Sequence, residues 1–235
     1  MNELKQKKHN FGNSVIVYEG AQIDKSVTIG PFSIIYPNTI IDSGVKIASS
    51  CIIGKPPTVG KNQMPLMDSN SLTQIGSDVY IGDQSIIYAG VQIGENTYLA
   101  DRSFLREDVK IENDVVIGTG VVVSFGAAIG SFTKIMTGAN IGGQARIGRN
   151  CFIGVHVCSI NDNTPQTLKP REKQLSADIG NGVFIGSNTT ILPGLKVSDN
   201  ITVGAGSVIT KSLDHESSLY IGSPAKFIKI INASG

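Results

Sequence analysis

Cysteine is scarce in this chain of 235 residues: Cys51, Cys151 and Cys158 are odd in number and lack metal-ligand spacing. They give neither a disulfide framework nor a zinc site, and the reading that follows is a reduced, cytoplasmic chain. No run of eighteen apolar residues exists. No transmembrane helix is therefore expected. The N-terminus is polar, with no apolar stretch after its charges, so no signal peptide is expected either. An excess of one charge is also missing. The net charge is +1 and the 20 basic residues are spread along the chain, so a nucleic-acid partner is not suggested. The local exception, "KQKKHN" from Lys5 to Asn10, reads as a solvated tail. Histidine occurs three times, as His9, His156 and His215.

What the chain has in abundance is one repeat. From Val17 an aliphatic residue recurs every sixth position to Val59, then from Ile75 to Ile153, then from Ile179 to Ile209, giving 28 rungs. A period of six fits neither a helix nor a flat alternating strand. It fits a chain that makes a short strand, turns a corner and repeats. Four positions after the rung there usually stands a small or β-branched residue, such as Val27, Ser33, Thr39, Val45, Cys51, Ala139, Ala145 or Cys151. Two inward residues per hexapeptide would fill a narrow core. Three positions after the rung, Gly, Asn or Asp occurs in 18 of 28 cases. Those residues adopt positive φ at least cost. A left-handed corner at a fixed place in every hexapeptide describes a β-solenoid. A core of this size is within reach of the chain, with 40% hydrophobic residues.

The words "IGSNTTILPGLKV", "VGAGSVITKSL" and "IGSPAKFIK" resemble the hexapeptide-repeat acyltransferases over roughly Val15 to Ile230. That resemblance implies an all-β fold: a left-handed parallel β-helix of triangular section, with two loop insertions and a short C-terminal extension. The domain reading is a polar arm at 1–14, a β-helix at 15–212 with insertions about 60–74 and 160–178, and an extension at 213–235. At three hexapeptides per coil, 28 rungs make about nine coils, stacked ~4.8 Å apart. The fold also implies a homotrimer with sites between subunits. Flat prism faces hold no pocket, so projecting loops must wall one against a neighbour. Met64, Leu66 and Met67 in the first insertion need such a partner surface.

The ladder breaks at "IGVHVCSINDNTP", Ile153 to Pro165. This stretch, with "IIGKPP" and "IGDQSIIYAGVQIG", is most similar to the N-acyltransferases of nucleotide-linked amino-dideoxy sugars, which make surface glycans. The implied co-substrate is acetyl-CoA or another acyl-CoA, with no metal. The implied partner is a nucleotide-linked amino sugar. Backbone groups of the late coils, at Gly186, Ser187, Gly204, Ala205, Gly206 and Ser207, would follow the pantetheine arm. Lys226, ahead of Lys211 and Lys229, would meet phosphate.

Asp162 is the first choice to hold the sugar amine, because a carboxylate accepts hydrogen bonds from an ammonium. Asn161 beside it offers both donor and acceptor to sugar hydroxyls. The same pair also suits the start of any loop. His156 has the chemistry of a general base, yet it sits three after its rung, the corner position. Arg106, Glu107 and Asp108 stand where some relatives carry mid-ladder site residues, and they also read as a solvated charged face. Tyr88 follows a rung and should point outward, toward ligand or a neighbour. Cys51 and Cys151 fall at the small inward position, and Cys158 faces the break. O-acyl transfer to a sugar or small alcohol is the alternative, and it would need His156 as base. A three-histidine zinc site, as in the γ-class carbonic anhydrases of this fold, is excluded by the spacing of His9, His156 and His215. A non-catalytic solenoid would show a threonine array and no insertions.

Overall fold

The computed structural model describes residues 10–58, 71–162 and 175–231. His9, Met64, Leu66, Met67 and Pro165 lie outside the described residues. All regular structure among the described residues is strand, in pieces of two to five residues. Every third strand pairs in parallel, so the strands sort into three sheets of twelve, ten and nine members. These are the three faces of a triangular prism. The first face includes Val116–Ile117, Lys134–Ile135, Phe152–Ile153, Phe184–Ile185 and Thr202–Val203. The second includes Ile52–Lys55, Ile86–Tyr88, Phe104–Leu105, Val122–Val123, Asn140–Ile141 and Cys158–Ser159. The third includes Thr73–Ile75, Lys110–Ile111, Ala128–Ile129, Arg146–Ile147 and Asp178–Ile179.

The rungs stack in strict register: Ile117 on Ile135, Ile135 on Ile153, Ile153 on Ile185. All four are fully buried, as are the rungs of the other two faces through the middle of the prism. Each such isoleucine contributes on the order of 1.5–3 kcal/mol by burial. The second inward column is equally buried, and its hydroxyls are satisfied between coils. Ser33 Oγ donates to the Ala48 carbonyl (3.1 Å) and accepts from the Cys51 N–H (3.1 Å). Thr133 does the same between Gly148 and Cys151. Ser33 and Thr133 are tolerated in this core because their hydroxyls bridge adjacent coils.

The corners behave as the sequence predicts, and more residue types take part than Gly, Asn and Asp. Phe32, Ser50, Gln84, Arg102, Phe132 and His156 all hold φ between 55° and 62°. Each corner N–H continues the ladder; that of His156 donates to the Thr137 carbonyl (3.0 Å).

Two differences follow from the ladder being longer than its aliphatic residues. Phe11, Ser159 and Tyr220 occupy rung positions, paired with Ile29, Ile191 and Val203. The second face accordingly has ten strands among the described residues, one coil more than the aliphatic rungs imply. The break also begins one strand later than Ile153. Ser159 is buried in the rung position, and Ile160 still donates to the Ile191 carbonyl (2.9 Å). The chain leaves the prism after Ile160 and rejoins it at Leu175, whose carbonyl accepts from Gly194 (3.0 Å).

Candidate active site

Both insertions leave the same edge of the prism. The first departs after the second-face strand Ile52–Lys55 and returns at the third-face strand Thr73–Ile75. The second departs after Cys158–Ser159 and returns at Asp178–Ile179. On the second face these roots stand five coils apart, roughly 24 Å at the ~4.8 Å spacing of paired strands. The edge between second and third faces is therefore bracketed, and Tyr88, Arg106, Glu107 and Asp108 lie inside the bracket.

A column of tall side chains climbs this edge. Tyr18 and Tyr36 stack at its foot, with ring centroids 5.2 Å apart. The next coil should continue at Gly54. Instead Gly54 takes φ +73°, the register shifts, and Lys55 comes opposite Tyr88. The Lys55 ammonium lies 5.3 Å from the Tyr88 ring centre. Arg106, one coil above, lies 5.5 Å from the same ring. Phe104 packs edge-on against Tyr88 at 5.5 Å. Arg106 is held from the side as well. Its Nε and Nη2 donate to the two carboxylate oxygens of Glu107 at 2.7 and 2.9 Å. Glu107 is only 2% exposed, against 31% for Arg106. This pair is thus not a solvated charged face: one carboxylate is buried and its fork-to-fork partner is immobilised on an aromatic ring.

Above Arg106 the column stops. The next two positions are Ser124 and Gly142, aligned through the pairings of Leu105, Val123 and Ile141. The result is a step two coils high, about 10 Å. Phe125 closes its inner side: it is 7% exposed, and a side chain at Gly143 would meet its ring at 2.5 Å. The second loop root overhangs the step. Ser159 and Ser176 share a short hydroxyl contact, and Ser176 Oγ donates to the Ile160 carbonyl (3.1 Å). This clasp fixes the point where Asn161 and Asp162 leave the prism; both are half-buried. Around the corner, a groove of about 780 Å³ on the third face opens at Asp108 and Gly126 and is flanked by Lys110 and Arg146. Its floor is low because Ala128 sits between those two cations in register.

The remaining candidates line a different edge, that between first and second faces. His156 is exposed there, with its ring laid over Gly138: a Cβ on Gly138 would lie 2.4 Å from His156 Nδ1 and Cε1. Gly186, Ser187, Gly204, Ala205 and Gly206 follow in the next two coils of the same edge. Gly206 holds φ +69° with open space around it. Ser207 is buried, donating to Gly204 O (2.7 Å) and accepting from Gly222 N–H (3.1 Å), so its hydroxyl joins coils. Lys226 is exposed and pairs with Ile221, whose side chain covers Gly204. His156 and Asp162 therefore occupy opposite edges of the one strand Cys158–Ser159, at most about 20 Å apart for six residues of extended chain. The face between them is small and polar at this height, with Asn140, Cys158 and Thr190 in register.

The profile for bacterial transferase hexapeptides (six repeats) matches residues 20–55 and 72–107. That for the hexapeptide repeat of succinyl-transferase matches 144–160 and 177–211, and the two together cover just over half of the chain. The chain belongs to the hexapeptide-repeat acyltransferase family. Its fold is the left-handed parallel β-helix of that family. Curated relatives include the bifunctional protein GlmU of Clostridium botulinum (strain ATCC 19397 / Type A), 31% identical over 86% of this chain and 39% of the relative. GlmU of Streptococcus agalactiae serotype V is 30% identical over 88% of this chain and 40% of the relative. The chain thus spans about two fifths of the length of the curated relatives it matches. A crystal structure of UDP-N-acetylglucosamine O-acyltransferase (LpxA) from Moraxella catarrhalis superposes with TM-score 0.56 over 94% of this chain and 74% of that one. At 20% identity this likeness speaks to the fold.

Within this hexapeptide-repeat prism, sequence reasoning missed Lys55, Ser124, Phe125, Gly142 and Gly143. Two signals were available. "IIGKPP" carries one residue too many before its loop, and "IGGQ" has glycine where its neighbours carry larger groups. Among the described residues no three metal-ligating side chains come together, and no helix is long and apolar enough to cross a membrane.

Proposed function

We propose that the chain is an acyl-CoA-dependent N-acyltransferase, acting on the amino group of a nucleotide-linked amino-dideoxy sugar in surface glycan biosynthesis. The observation that carries this reading is the bracketed edge. An otherwise unbroken prism opens twice, at one edge, and between the two roots stand a fixed arginine, a step and the Asn161–Asp162 pair.

In this reading the acyl-CoA lies along the first/second edge, beside Gly186, Gly204 and Gly206, with Lys226 near a phosphate. The sugar lies on the step, with its amine on Asp162 and a hydroxyl on Asn161. The neutral amine attacks the thioester carbonyl, the C–S bond breaks, and the CoA thiolate takes up the proton that the amine loses. Asp162 orients the amine through a charge-assisted hydrogen bond. Because the acyl edge and the acceptor edge are opposite edges of one face, side-by-side protomers join them best. The outward column Ile16, Ile34, Ile52, Ile86, Phe104 and Val122 on the second face supports such packing. The assembly expected is a homotrimer with interfacial sites.

The second reading is O-acyl transfer with His156 as base. It is favoured by the exposure of His156 on the same edge as the acyl-CoA residues. The test is thiol release from acetyl-CoA against a panel of dTDP-, UDP- and GDP-linked amino sugars, using wild type, Asp162→Asn and His156→Asn. Asparagine is chosen because it tolerates the φ of +55° at position 156. Activity with an amino sugar that is lost in Asp162→Asn and kept in His156→Asn supports N-acyl transfer. Loss in His156→Asn alone, with a hydroxyl acceptor, establishes the second reading.

A further inference from the structure

We infer that Arg106 is the anchor for the diphosphate of the acceptor, and that Glu107, Tyr88 and Lys55 position it for that task. The inference rests on the reading of the acceptor as nucleotide-linked, and it assigns one subsite within that reading. Four observations converge on Arg106. Its guanidinium is clamped by both oxygens of the buried Glu107 carboxylate, at 2.7 and 2.9 Å. It is propped on the Tyr88 ring at 5.5 Å, and Tyr88 is itself pinned by Phe104 and by the Lys55 ammonium. It is the last tall side chain before the step formed by Ser124 and Gly142. And it retains exposure of 31%, so part of it faces solvent.

The clamp takes Nε and one proton of Nη2. Of the five guanidinium N–H groups three remain, carried by Nη1 and Nη2. A planar fork whose rotamer is already fixed loses little freedom when it binds an anion, which is why it suits a phosphate better than a lysine would. Two cations, Lys55 and Arg106, share one ring, and the only carboxylate ion-paired to either among the described residues is Glu107. Asp108 turns away, its Oδ1 lying against Gly90 on the coil below. The Asn161–Asp162 root stands three coils above Arg106, roughly 14 Å. A sugar amine at Asp162 thus leaves a span matching a hexose and its diphosphate before Arg106 is reached.

CoA carries the same phosphate chemistry, so the experiment separates the two sources. Binding of a nucleoside diphosphate alone and of CoA alone is measured by calorimetry for wild type, Arg106→Lys and the double variant Arg106→Met/Glu107→Leu, which replaces the buried pair with apolar groups of similar size. Kinetics are then run with the nucleotide-linked amino sugar and with the free amino sugar. The expected result is a rise of roughly ten- to a hundredfold in acceptor KM and in nucleoside diphosphate Kd, with kcat and CoA Kd within about twofold. The variants should also lose the preference for the nucleotide-linked over the free sugar. Tyr88→Leu should raise acceptor KM because the prop is gone. Unchanged nucleoside diphosphate affinity, a wild type that binds none, or a loss confined to CoA would each overturn the anchor. Absence of transfer to every nucleotide amino sugar, with nucleoside diphosphate binding that still depends on Arg106, would count against the acyl-transfer reading and leave the anchor standing.

Discussion

At the scale of single residues, the prism converts a position in the hexapeptide into a chemical state. Cys51 and Cys151 stand at the small inward position, both buried. Burial pushes the Cys51 thiol up to about 11 and raises that of Cys151. A raised thiol is protonated at pH 8 and does not react as a nucleophile. Cys158 faces outward and is half-buried. Ellman's reagent at pH 8 should therefore titrate one thiol in the native protein and three in denaturant. A native stoichiometry near three would contradict the burial of the inward column. These inward places were legible in the sequence, because a period of six fixes them without further information. The same period made His156 ambiguous. It is a corner residue with φ +55°, and it is also an exposed imidazole, and the repeat alone cannot separate those roles.

At the scale of the element, the bulge at Gly54 places Lys55. Adding a Cβ there would bring it 2.2 Å from Thr39 Oγ1, at a φ of +73°. Gly194 has a similar φ, +70°, but nothing within 4 Å. Both Gly54→Ala and Gly194→Ala carry the left-handed cost of about 1–2 kcal/mol. Gly54→Ala carries the contact as well. Chemical denaturation should rank Gly54→Ala as the more destabilised by at least about 1 kcal/mol. Equal midpoints would mean that the strand accommodates the methyl group without losing its register. Only the extra residue in "IIGKPP" hinted at this bulge. The pairing it produces, Lys55 opposite Tyr88, depends on a strand 33 residues away in sequence and was not legible. The Arg106–Glu107 clamp escaped for a related reason. Adjacent charges in a repeat read as surface until one of them, Glu107, is seen to be only 2% exposed.

At the scale of the whole molecule, the sequence reading expected sites between subunits, and the fold lays the candidates along two edges of one face. If neighbouring protomers bring the acyl edge of one to the acceptor edge of the next, two damaged chains can complement each other. Asp162→Asn leaves the acyl edge intact, and Ala205→Trp, at an exposed position, blocks it while sparing the acceptor edge. Co-refolding the two inactive variants at equal amounts should restore about a quarter of wild-type activity, since one interface in four combines two intact edges in a closed ring. No recovery would place both edges of the site within a single protomer.

Among the described residues the last strand, Lys226–Ile230, runs antiparallel to Ser218–Ile221, whereas every other pairing between strands is parallel. A stack of identical parallel coils is a template without a natural end: the hydrogen-bonding row on its final coil is the row on which another coil would grow. Folded back against the grain, Lys226–Ile230 closes that row with a strand of the wrong direction for the repeat. The reversed strand thereby acts as a terminator of the parallel stack on that face.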